Sequence, residues 1–134
     1  MGALSDYAED ELLDHFIGGS AFTPPGNTCI ALFTANPGDS GGSANEVSGT
    51  SYARVTVANN TGNWGTADNG VKSNQSAITF PAAGGDWGTV THIGIFDAAS
   101  SGNLLLHGAL TTPKTISAGD VFKFNAGGLQ ITLS

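Results

Sequence analysis

The sequence predicts a mainly β protein, an antiparallel β-sandwich or jelly-roll-like domain preceded by one short N-terminal α-helix. Three observations lead there. After Thr23-Pro24-Pro25-Gly26, short β-prone runs alternate with clusters of Gly, Asn and Ser at the spacing expected of a sandwich or barrel. Only 11% of the 134 residues are charged, against a usual value of about 25%, and 20 are glycine, a composition suited to strands joined by tight turns. Ahead of that region lies a single stretch with helical periodicity.

The helix comes first in the chain. Leu4, Ala8, Leu12 and Phe16, joined by Leu13 and Ile17, make one apolar stripe at helical spacing and predict a helix over about residues 5–17. Ser5 or Asp6 can cap its start, Asp6 followed by Glu9 has the pattern of a capping box, and Gly18-Gly19 supplies a left-handed stop. The early acids suit the positive end of the helix dipole. So terminal a helix either lies on its own domain's core or forms an arm that docks on a neighbouring subunit. Leu4, Tyr7, Leu12 and Phe16 are therefore candidate interface residues. The implied organisation is a helix with a Gly-Gly hinge over 1–19 and a β-sandwich domain over 20–134, within the size of one ordinary domain.

Candidate strands then follow at Cys29 to Thr34, Ala53 to Val57, Ala77 to Phe80, Val90 to Asp97, Leu104 to Leu110, Val121 to Phe124 and Leu129 to Leu133. Enough strands are present for two packed sheets. The fourth and fifth, joined by residues 98–103, read as a β-hairpin. In its first strand Ile93 and Ile95 share one face while His92, Gly94 and Phe96 share the other, so the strand should be covered on both sides. Asn36 to Gly49 and Asn59 to Gly70 are long polar loops, a length associated with function or mobility.

Composition excludes several function classes. Four scattered basic residues, Arg54, Lys72, Lys114 and Lys123, against eleven acids give a net charge of −7, so nucleic acid is not an expected partner. Five of the acids, Asp6, Glu9, Asp10, Glu11 and Asp14, fall on the helix, where they either keep the protein soluble or face a basic partner. No apolar run approaches the roughly 20 residues of a membrane span, and the N-terminus lacks signal-peptide features, so the expectation is a soluble protein made in a cytoplasm. Cys29 is the single cysteine and lies in an apolar run, which marks it as a core residue.

No catalytic constellation is visible. His92 and His107 come close to opposite one another across the hairpin, but a one-residue slip would put them on opposite faces, and no metal or cofactor is expected. Glu11 and His15, one helical turn apart, read as a weak surface pair. Gly38-Asp39-Ser40-Gly41-Gly42 matches a serine-protease nucleophile segment, but the chain lacks room for a two-barrel protease and the His and Asp in the required order. Trp64, in a Gly- and Asn-rich loop, is a candidate interface anchor weighed against local packing, whereas Trp87 should cover the end of the core.

Several segments carry a resemblance to a known family. They are Leu4-Ser5-Asp6-Tyr7-Ala8-Glu9 with Leu12-Leu13-Asp14-His15, Ile30 to Thr34, Glu46-Val47-Ser48-Gly49 with Ser51-Tyr52-Ala53-Arg54, Ile78 to Pro81, Trp87 to Asp97 and Gly108 to Lys114. In order and content they resemble tailed-bacteriophage virion proteins labelled head decoration (cement) or tail-fibre-like proteins. The resemblance implies a non-enzymatic virion component synthesised in the bacterial host cytoplasm, with no catalytic residues to carry over. The leading expectation is a homo-oligomer, guessed to be a trimer, that binds the major capsid protein on the outer head surface and stabilises the capsid. The first alternative is a tail-fibre or tail-tip component touching tail proteins or a host surface receptor. The second is a carbohydrate-binding module presenting Trp64 with Tyr52.

Overall fold

A computed structural model describes residues 2–133, so Met1 and Ser134, the ends of the two expected segments, lie outside the described residues. The chain enters through a two-residue strand, β1 (Ala3–Leu4), and turns directly into helix α1 (Asp6–Gly18). Ser5 is the N-cap. Its hydroxyl accepts from Ala8 N–H at 3.1 Å and donates to the carbonyl of Leu104. The Asp6/Glu9 capping box does not form, because with Ser5 at the cap the third helical position is Ala8. Gly19 ends the helix at φ 69°, with its N–H and that of Ser20 both bonded to the Asp14 carbonyl.

Strands β2 (Asn27–Phe33), β3 (Val55–Ala58), β6 (Gly88–Phe96) and β7 (Leu104–Ile116) join β1 in an antiparallel sheet of order β1-β7-β6-β2-β3. Between β3 and β6 lie a one-turn helix, α2 (Thr61–Trp64), and strands β4 (Val71–Ser73) and β5 (Ile78–Thr79). Beyond β7 come β8 (Lys123–Phe124) and β9 (Gln130–Thr132). The pairs β4-β9 and β5-β8 form two antiparallel ribbons. Each expected strand is present, and β7 runs six residues past its expected end at Leu110. The sequence reading missed β1, α2 and β4, which at two to four residues each are too short to show a periodicity.

Alternation along the central strands builds two apolar faces. Ile30, Leu32, Ile93 and Ile95 point into the main core, where they meet Ile78, Phe80, Phe122 and Leu129 from the ribbons and their flanks. This is the two-layer packing of a sandwich. The opposite face buries Cys29, Ala31, Phe33, Phe96 and Leu104, so the central strand is covered on both sides. Gly94 is required there. A Cβ at this position would sit 2.9 Å from both Phe33 and Leu104, whose side chains close over the bare backbone.

Candidate interaction surfaces

One segment of the family resemblance, Glu46-Val47-Ser48-Gly49 with Ser51-Tyr52-Ala53-Arg54, folds into a lock. Arg54 makes a bidentate pair with Glu46, Nε to Oε2 at 2.8 Å and Nη2 to Oε1 at 2.7 Å. Its remaining guanidinium nitrogen donates to the carbonyls of Ala98 and Ser101 in the hairpin turn, and its plane lies 3.7 Å over the Phe96 ring. The Tyr52 hydroxyl donates to Glu46 Oε2 at 2.8 Å and accepts from Leu32 N–H at 3.0 Å. Burial, reinforced by the Glu46 carboxylate, pushes the Tyr52 phenol well above its ordinary range, which keeps it a neutral donor. The Tyr52 ring stacks on Phe80 and meets Trp87 edge-on. These residues tie the loop before β3 to the hairpin, and their satisfied polar atoms make them structural.

Trp64 corrects an expectation. Its indole is 4% exposed, lies in the main core, and donates from Nε1 to Thr28 Oγ1 at 2.9 Å. An amphipathic ring that finds an internal acceptor gains by burial, so Trp64 packs locally and offers no free surface. Tyr52 is half-buried with its hydroxyl engaged, so the aromatic pair of the carbohydrate-binding reading is not presented together on the surface. Trp87 is buried as expected, with Nε1 donating to the Thr50 carbonyl.

The helix residues divide. Leu4, Tyr7 and Leu12 are half-buried and Ala8 is buried, because the first turns of α1 rest on β1 and the start of β7. Asp6 N–H bonds the Asp39 carbonyl, which seats the helix start on the Asn36–Asp39 turn. Beyond Leu12 the helix leaves the body. Leu13, Phe16 and Ile17 are 57%, 74% and 83% exposed. Glu9 and Asp10, four and three positions before Leu13, share its side of the helix, giving that face both apolar and anionic character. His15 braces the return of the chain, its Nδ1 accepting from Phe22 N–H at 3.3 Å.

A second surface was not foreseen. The ladder between β6 and β7 loses register, two steps from Val90 to His92 facing five from Lys114 to Ala109. The extra residues of β7 interrupt the ladder there. Beside them opens a cleft of about 690 Å³ whose lining includes Leu110, Lys114, Val121, Phe122, Lys123 and Phe124. Val121 at its rim is 52% exposed. The signal available in the sequence was Thr111-Thr112-Pro113-Lys114, a strand continuation interrupted by proline.

The histidines take the same face of the hairpin, offset and not opposed: Gly94 pairs with His107, and His92 with Ala109. His107 Nε2 lies 2.6 Å from Asp39 Oδ1, and His92 Nδ1 lies 2.8 Å from Thr91 Oγ1. Among the described residues no group of three or more His, Cys, Asp or Glu is placed to hold a metal. No helix among them is long and apolar enough to cross a membrane.

Internally satisfied loops, a locked hairpin and a projecting apolar helix define a β-rich structural module. The chain belongs to the family described as Podophage GP4 fiber I protein gp80, whose model matches residues 3–132. It is thus a phage structural protein, associated with the virion. No curated protein matches the chain.

Proposed function

We propose that the chain is a fibre-type subunit of a phage particle that acts without catalysis, by docking its projecting helix on a neighbouring virion protein. The observation that carries this reading is the run of exposed Leu13, Phe16 and Ile17 on a helix anchored only at its start. Single exposed apolar residues are ordinary, but three large ones gathered on one arm mark an interaction site. The fibre wording of the family favours a tail or fibre location over the head. Head decoration, with the major capsid protein as partner, uses the same arm and differs in copy number and place.

Quantitative mass analysis of purified particles, followed by imaging of the virion, tests the reading. A small number of copies confined to the tail or its fibres is the expected result. Hundreds of copies spread over the head would overturn it in favour of decoration.

A further inference from the structure

We propose that the arm of one copy seats in the β7 cleft of a second copy, head to tail, so that the chain links into closed rings or open filaments. The inference rests on the structural-subunit reading and adds the partner and the contact.

The two surfaces are complementary in chemistry. The arm offers Leu13 and Phe16 with Glu9 and Asp10 on the same side and Asp14 beside them. The cleft offers Leu110, Val121 and Phe124 with Lys114 and Lys123, which outweigh the one acid in its lining, Asp120. Those two lysines are half of the chain's four basic residues, whereas the helix carries five of its eleven acids. In a chain of net charge −7, copies repel on average, so a contact that joins the most acidic element to this basic rim is the favoured approach.

The arm does not fill the cleft of its own copy, since Leu13 and Phe16 stay exposed. Its anchor lies at Leu104 to His107, and the cleft begins further along the same strand at Leu110. Strand addition is a poor competitor for the cleft. The outer edge of β7 beyond its pairing with β1 is unpaired among the described residues, but Pro113 and Lys114 interrupt it, and such residues blunt edge pairing. What remains attractive beside that edge is the side-chain socket. Mutual exchange of arms would close as a two-fold dimer, whereas head-to-tail docking leaves an arm free at one end and a cleft at the other, so repetition closes a ring or continues as a filament.

The test uses full-length protein in sedimentation velocity and light scattering. Wild type is expected to assemble beyond a dimer as concentration rises. Phe16→Asp removes the arm, and Val121→Asp with Lys123→Glu removes the cleft, each at exposed positions, so each should melt close to wild type and lose at least about tenfold in association. Mixed in equal amounts, the two variants should form a 1:1 dimer and nothing larger, because only the cleft of the first and the arm of the second survive. Leu13→Asp and Lys123→Glu alone serve as milder replacements should either variant melt early. A wild type that stays monomeric or stops at a dimer at every concentration, a cleft variant that still assembles through arm-to-arm pairing, or variants that stay apart on mixing would each overturn the proposal. Particle imaging reads location independently, so the docking contact can fail while the fibre reading stands.

Discussion

Trp64 and Phe16 both sit on helices whose starts are capped by a polar side chain, yet one ring is 4% exposed and the other 74%. Around Trp64 the buried polar side-chain atoms among the described residues find partners. The Asn60 side chain accepts from Asn63 N–H, Asn63 Nδ2 donates to the Ala58 carbonyl, and the indole reaches Thr28. The short helix can therefore lie flat on the core without stranding a donor. Around Phe16 the anchor is all at one end: Ser5 and Asp6 bond to Leu104 and Asp39, and beyond Leu12 no part of the body lies beneath the helix. Attachment decides where an aromatic side chain ends up, and hydrophobicity alone does not.

Substitutions can break that contrast. Trp64→Ala has the largest expected effect, about 3–5 kcal/mol of stability in chemical denaturation, since it empties a core site and leaves the Thr28 hydroxyl without its donor. A loss below about 1 kcal/mol would mean that the loop carrying Trp64 is not part of the core. Arg54→Ala should cost about 3 kcal/mol, because Glu46 would keep its charge in a pocket built for the guanidinium. Its melting temperature should fall nearly as far as that of the tryptophan variant. Gly94→Ala is expected to cost about 1–3 kcal/mol by forcing Phe33 and Leu104 apart, again read by denaturation.

Phe16→Asp marks the other side of the comparison. Its folding stability should stay within about 0.5 kcal/mol of wild type while assembly is lost. A destabilisation as large as that of Trp64→Ala would show the helix to be part of the monomer's own core. The smallest effect is titration of His92, whose imidazole is held below its ordinary value first by burial and then by His107. The neutral form is the one favoured by folding, so this stability is fully present above about pH 6.5 and is lost as pH falls through that value toward the lower folded one. His92→Gln should remove that part of the acid slope in melting temperature, and an unchanged slope would place its source elsewhere.

The Gly, Asn and Ser punctuation that made the β-rich class legible works because turns need residues tolerant of unusual backbone angles, and that requirement is local. Helix periodicity and the Gly19 stop were legible for the same reason. The burial of Trp64 was not, because the residues that accept it, Thr28 and the core around it, are far away in sequence. Nor was the role of Tyr52 and Arg54, which stood out in the sequence as family marks but act through Glu46, Leu32 and the turn at Ala98 to Ser101.

By itself, then, the sequence determined the mainly β class, seven of the nine strands among the described residues and the N-terminal helix, all of which follow from periodicity, turn chemistry and composition. The tertiary structure decided which half of the helical stripe is covered, which tryptophan is inside, and where a cleft opens along β7. Those outcomes depend on strand register and on the satisfaction of polar groups by distant partners. A one-residue change in pairing alters them without altering any local pattern.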